Sequence, residues 1–253
     1  MNVTFLGTGT SQGVPLIGCK CKVCMSGDFR DNRLRTSILI EADGSTFVID
    51  TGPDFRQQML RQKVDKLDAV IFTHEHKDHT AGFDDIRAYN YILKKKIDVY
   101  ASSRVQENLK REFSYIFADE KYPGIPEIVL HTIENTPFTV NKTEFIPIQA
   151  YHFKLPVFGF RIKDFTYITD ANFIPDEELE KVKGTKVLVL NALRKEEHVS
   201  HFTLDQAVEL MNRIQPEKGY FIHISHQLGL HKDISKELPS NIELSFDGLK
   251  ITI

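Results

Sequence analysis

The sequence predicts an α/β fold in which β-sheets are covered by helices. Two patterns predict it. Short apolar, β-branched runs follow one another through the first half of the chain, and runs of the same kind alternate with helix-period segments in the second half. A third observation places a site on that fold: His74, His152, Asp170 and His223, all able to bind a metal, each stand just past an apolar run. Sites in layered α/β structures form where strands deliver loops to one edge of a sheet.

The elements follow in order. "VTFLG", "TSILIEA", "STFVID" and "LDAVIFT" have the composition of buried strands. Helical periodicity runs over 54–62, 83–93 and 102–116. "PEIVLHTI", "TEFIPIQA", "VFGFRI" and "FTYIT" are strands, "EELEKV" a helix and "KVLVLN" a strand. In "TLDQAVELMNRI", Leu204, Ala207, Val208 and Met211 share one helix face, and Thr203 and Gln206 have the spacing of a capping box. "KGYFIHIS" and "NIELSFDGLKITI" read as further strands. There is no internal repeat and no low-complexity linker, so a single domain over 1–253 is expected.

The bulk properties bound the function. The chain has 253 residues, 41% hydrophobic and 26% charged, enough to bury a sizeable core. A net charge of -3 argues against a stable nucleic-acid partner. No apolar run is long enough to cross a membrane, and "MNVTFLGTGT" has no export pattern, so a cytoplasmic location is expected. Cys19, Cys21 and Cys24 are the chain's three cysteines. An odd, clustered set is a poor disulfide framework and a better metal clip.

The densest chemistry lies in "IFTHEHKDHTAG". His74 and His76 alternate in an extended turn and point the same way, while Asp78 and His79 follow a bend and face a second point. One loop can thus supply two ligands to each of two ions, with His152 completing the first set, His223 the second, and Asp170 bridging. Such ions sit ~3.5–4 Å apart and share a hydroxide. A closed structural zinc site prefers cysteine, which this cluster lacks.

H-x-H-x-D-H after a strand, followed by a later His, Asp and His, resembles the metallo-β-lactamase superfamily. Within it, "GTGTSQGVP", "CKCKVC", "RLRTS", "HKDHTAGFDDIR", "YITDAN", "HVSHFTLDQA" and "HISH" are most similar to the PhnP-like phosphodiesterases, with ribonuclease Z as a cousin. The resemblance implies an αββα sandwich, two mixed sheets flanked by helices, with a two-metal site (Zn or Mn) at one edge. It also implies that His226 joins Cys19, Cys21 and Cys24 around a structural zinc. That zinc would pin the loop at about 18–33 near the N-terminus against the loop carrying His223. The expected reaction is phosphodiester hydrolysis by the shared hydroxide, Asp78 taking part and His201 donating the proton to the leaving group. His198 and Arg194 are expected to contact phosphate, with Arg35 a weaker choice. Arg87 is expected to pair with Asp84 at i, i+3, and His131 and His231 to be structural. "GTGTSQG" is expected to line the metal cleft.

Ribonuclease Z carries a protruding arm between its later histidine and its bridging aspartate. Only 17 residues separate His152 from Asp170, and strands fill most of them. A small phosphodiester, cyclic forms included, is therefore the expected substrate, with a homodimer left open. The rivals are a glyoxalase II-type thioester hydrolase, a ribonuclease Z-like RNA phosphodiesterase and a non-enzymatic scaffold.

Overall fold

A computed structural model describes residues 1–120 and 122–253. Two seven-stranded sheets stack face to face. The first contains β1 (Asn2–Gly7), β2 (Ser37–Ala42), β3 (Ser45–Ile49), β4 (Ala69–Ile71), β5 (Ile97–Ala101) and β6 (Ile128–Thr132). The second contains β7 (Phe138–Val140), β8 (Thr143–His152), β9 (Leu155–Ile162), β10 (Phe165–Ile168), β11 (Val187–Asn191), β12 (Lys218–Ile222) and β13 (Ile242–Leu244), while β14 (Lys250–Thr252) returns to pair with β1. Both sheets are mixed: β1, β2 and β3 are antiparallel and β3 to β6 parallel, and β7 to β10 are antiparallel and β10 to β13 parallel.

Period-2 alternation builds the layers. Ile38, Ile40, Phe47, Ile49, Ala69 and Ile71 point between the sheets and meet Phe145, Phe160, Phe165 and Val189. Their neighbours Leu39, Val48 and Val70 point outward, under α1 (Phe55–Gln62), α3 (Arg87–Leu93), α4 (Ser103–Glu112) and α5 (Ser114–Phe117). On the other sheet Leu188 and Leu190 point outward, under α6 (Asp176–Val182), α7 (Leu204–Ile214) and α8 (His231–Ile234). The strands are buried on both faces, which is why they read as near-continuous apolar runs. The remaining helix, α2 (Lys77–Thr80), lies in the histidine loop.

Three expectations need correction. The helix expected over 83–93 starts as a 3-10 turn at Phe83–Ile86; at three residues per turn, Phe83 and Ile86 fall on one side and both are buried. The helix expected over 102–116 breaks at Phe113, which leaves helical dihedrals and sets its ring 5.4 Å from that of Phe83. β7 was not expected; it is three residues long and is defined by its pairing with β8. The capping box of α7 forms as read, with Thr203 and Gln206 each satisfying the other's backbone N–H.

Candidate metal centre

β8 and β10 both run antiparallel to β9, so they point the same way, and β12 runs parallel to them through β11. Their C-terminal ends share one edge. His152 ends β8, Asp170 lies two residues past β10, and His223 follows β12. Across the sandwich, β4 delivers the 74–79 loop to the same place. Asp78, His79, Asp170 and His223 offer ligand atoms within 4.8 Å of one another, as do His74, His76 and Asp170, and as do His152, Asp170 and His201. Asp170 belongs to all three groups. Its Oδ1 lies 2.9 Å from His223 Nδ1 and 3.4 Å from His79 Nε2, while its Oδ2 lies 3.8 Å from His74 Nε2. The two oxygens therefore face two different sets of donors.

Hydrogen bonds fix which nitrogen each histidine presents. Asp50 Oδ2 accepts from the Thr73 hydroxyl (2.7 Å) and from His79 Nδ1 (2.7 Å). The Thr73 oxygen then accepts from His74 Nδ1 at 2.9 Å. His152 Nδ1 donates to the Ser200 carbonyl at 2.7 Å. His74, His79 and His152 thus turn Nε2 toward the centre. His223 is reversed: its Nε2 meets the Thr10 hydroxyl at 3.3 Å, leaving Nδ1 inward. Thr10 places the "GTGTSQG" loop at the cleft.

His74 Nε2, His79 Nε2, His201 Nδ1 and His223 Nδ1 are buried without a hydrogen-bond partner. Buried polar atoms are otherwise almost always paired. Borderline nitrogen donors around a shared carboxylate suit zinc, manganese or iron, so the residues fit divalent cations. The electrostatics agree. Burial opposes the charged forms, yet the Asp170, Asp78 and Asp50 carboxylates push His79 well up, and His223 and His79 hold Asp170 well below the usual carboxylate range. Burial, helped by His79, pushes His74 well down, and burial with His152 lowers His76.

Asp50 was missed in the sequence. It stands just past β3 in "VIDTG", the same position relative to a strand that marked His74, His152, Asp170 and His223, so that signal was available. Glycines let the supporting turns touch. A Cβ on Gly52 would meet the Asp78 carbonyl oxygen at 2.1 Å, and one on Gly82 would meet the Gly52 carbonyl oxygen at 2.2 Å.

His201 is buried, 4.5 Å from the ring of His152 and 4.7 Å from that of His223. Burial and the neighbouring His223 push it down to about 2. His198 lies 5.0 Å from His201, half-buried, its Nδ1 accepting from Ser200. Arg194 is engaged elsewhere: its guanidinium donates to the Glu196 and Glu197 carbonyls and to Gln227 Oε1, bracing its own loop. Arg35 pairs with Asp54 at 3.1 Å, and Arg87 pairs with Asp84 at 3.3 Å as its spacing suggested. His131 pairs with Asp98 at 2.6 Å, and His231 Nδ1 accepts from buried Arg33 at 3.1 Å.

A second donor set lies behind the first. Cys19, Cys21, Cys24 and His226 converge within 4.8 Å, with Cys19 Sγ 3.5 Å and Cys21 Sγ 3.4 Å from His226 Nδ1. Tetrahedral zinc with Zn–S of about 2.3 Å and Zn–N of about 2.0 Å sets sulfur and nitrogen roughly 3.5 Å apart. The Cys24 backbone N–H and His226 bring Cys21 down to about 6, which favours the thiolate that a metal needs.

A family model described as a beta-lactamase superfamily domain matches residues 45–224. The chain belongs to the beta-lactamase superfamily. Among known members, a PhnP-family diphosphatase of known crystal structure is similar at a TM-score of 0.93 and 38% identity, covering 100% of this chain and 97% of that one. Human tRNase Z, short form, shares the superfamily fold at a TM-score of 0.74 and 16% identity, covering 100% and 99%. An octanoyltransferase of Porphyromonas gingivalis is 40% identical over 256 residues, covering 100% of this chain and 52% of that protein. The chain spans about half the length of that curated relative. It has the metallo-β-lactamase fold.

Proposed function

We propose that the chain is a metal-dependent hydrolase of small phosphodiesters or diphosphate esters, built around two divalent cations. One observation carries this reading: the two oxygens of Asp170 face separate donor sets, with His79 and His223 on one side and His74 on the other. His74, His76 and His152 would hold one ion and Asp78, His79 and His223 the other, with Asp170 shared between the two sets. Bound there, two divalent cations would supply Lewis acidity and a nucleophile usable near neutral pH. Similarity to a PhnP-family diphosphatase at 38% identity supports phosphate as the reacting group.

The protein's own groups do the rest. Asp50, Thr73 and the Ser200 carbonyl hold the histidine rings in the ligand orientation. His201 stands where a leaving oxygen departs. Its ring lies between those of His152 and His223, which places it to donate a proton to that oxygen. His198 contacts the phosphate from the outer side, and Arg194 shapes the loop that carries it. Cys19, Cys21, Cys24 and His226 hold a structural zinc that braces the His223 loop.

A second reading is acyl-thioester chemistry, favoured by the octanoyltransferase relative. Protein loaded with Zn²⁺ or Mn²⁺ is to be assayed on bis-p-nitrophenyl phosphate, cyclic nucleotides, cyclic ribose phosphate, S-lactoylglutathione and an octanoyl thioester. Phosphodiester turnover lost in Asp170→Asn is the expected result. Thioester turnover with no phosphodiester turnover overturns it in favour of the second reading.

A further inference from the structure

Beside the metal centre the β8–β9 hairpin turns through two residues, Phe153 and Lys154, between the paired His152 and Leu155. Phe153 has φ 58, a left-handed conformation that favours glycine or asparagine and is unusual for a bulky side chain. Packing does not explain it, because the side chain is 55% exposed. The conformation is instead held by Asn172, whose Oδ1 accepts from the Phe153 N–H at 2.7 Å and whose Nδ2 donates to the Val199 carbonyl at 3.2 Å. Val199 is itself exposed. Asn172 thus ties together two apolar lips, and between them runs a groove of about 530 Å³ lined by His76, His152, Lys154 and Arg104. Lys154 Nζ lies 5.4 Å from the Phe153 ring centroid.

We propose that this groove binds the half of the substrate that is not attacked. It takes a nucleobase against the Phe153 ring, with the attached anionic chain beside Lys154; Arg104, which also lines the groove, is ion-paired with Glu75. Phe153 is therefore the residue that sets a preference for base-bearing esters over base-free ones. This rests on the phosphoesterase reading above. An exposed aromatic ring stacks any base, the Lys154 ammonium complements phosphate, and the groove opens onto His76 and His152, two of the histidines expected to hold the first ion. Phe153 and His152 line the same groove.

The test uses the full, metal-loaded chain and two matched esters: adenosine 2′,3′-cyclic phosphate and ribose cyclic phosphate. Phe153→Gly suits the left-handed turn and folds without strain, and Phe153→Tyr keeps an aromatic face. The parent protein is expected to prefer the base-bearing ester by about ten- to hundred-fold in kcat/KM. Phe153→Gly is expected to erase that preference through KM, and Phe153→Tyr to keep it. Equal use of both esters by the parent, or an equal loss on both in Phe153→Gly, overturns the proposal. If neither ester is hydrolysed, the phosphoesterase reading fails separately. Calorimetric binding of AMP then decides the subsite: about ten-fold weaker binding to Phe153→Gly supports it, and identical binding overturns it.

Discussion

Asp50 Oδ2 accepts two hydrogen bonds at once, from His79 Nδ1 and from the Thr73 hydroxyl that orients His74. It has φ 65, and Asp170 and His223 have φ 56 and 57, so three of the groups that build the centre sit in left-handed backbone. Such conformations persist only where surrounding structure holds them. Asp50→Asn keeps the volume and removes the charge. We expect metal affinity to fall roughly 10- to 100-fold, with the far-UV spectrum unchanged, as measured by competition with a chromophoric chelator. His231 gives a pH signature away from the centre. Burial, then the charges of Arg33 and Arg30, push it down to about 4 against the partial opposition of Asp31 and Asp28. Its folded pKa lies below the unfolded value of about 6.5, so the unfolded chain binds the extra proton between those values. Its contribution is therefore intact above about pH 6.5 and is lost as pH falls toward 4. Urea unfolding of metal-loaded protein across that range should show a shallower pH dependence in His231→Gln than in the parent; an unchanged slope refutes the assignment.

At the scale of elements, the strands were legible because burial on both faces leaves long apolar runs, and α7 was legible because Thr203 and Gln206 announce its start. Short elements were not. β7 exists through its partner, and Phe113 ends α4 to reach the ring of Phe83, a contact that local periodicity does not encode. The same division holds for the centre. The metal-competent residues past β4, β8, β10 and β12 could be read from position alone, and Asp50 past β3 carried the same mark. The reversal of His223, which presents Nδ1, depends on Thr10, distant in sequence, and could not be read. The crossing of the 50–55 turn by the 78–82 loop depends on Gly52 and Gly82. Gly82→Ala forces a Cβ to within 2.2 Å of the Gly52 carbonyl oxygen. We expect a loss of about 1–3 kcal/mol in urea unfolding together with weaker ion binding. A variant as stable as the parent, with full affinity, contradicts that account.

Among the described residues the donor groups gather at two places, and His223 and His226 join them through one loop. Bound ions stabilise the folded chain by mass action, about 2.7 kcal/mol per site at a hundred times Kd. Stripping them should lower Tm by roughly 5–10 °C per occupied site in a chain of this size. Scanning calorimetry with and without chelator, paired with metal counting, measures this. Cys21→Ser should lose one metal while keeping the pair at Asp170, and retention of every metal would argue against the clip. The placement of the donors has a temporal consequence. The 74–79 loop hangs from one sheet, whereas His152, Asp170 and His223 hang from the other. A nascent chain with only one layer assembled owns half a chelator. Capture of the ions is thereby a clock for the meeting of the layers, and a metal-sensitive signal during refolding should rise only after secondary structure has already appeared.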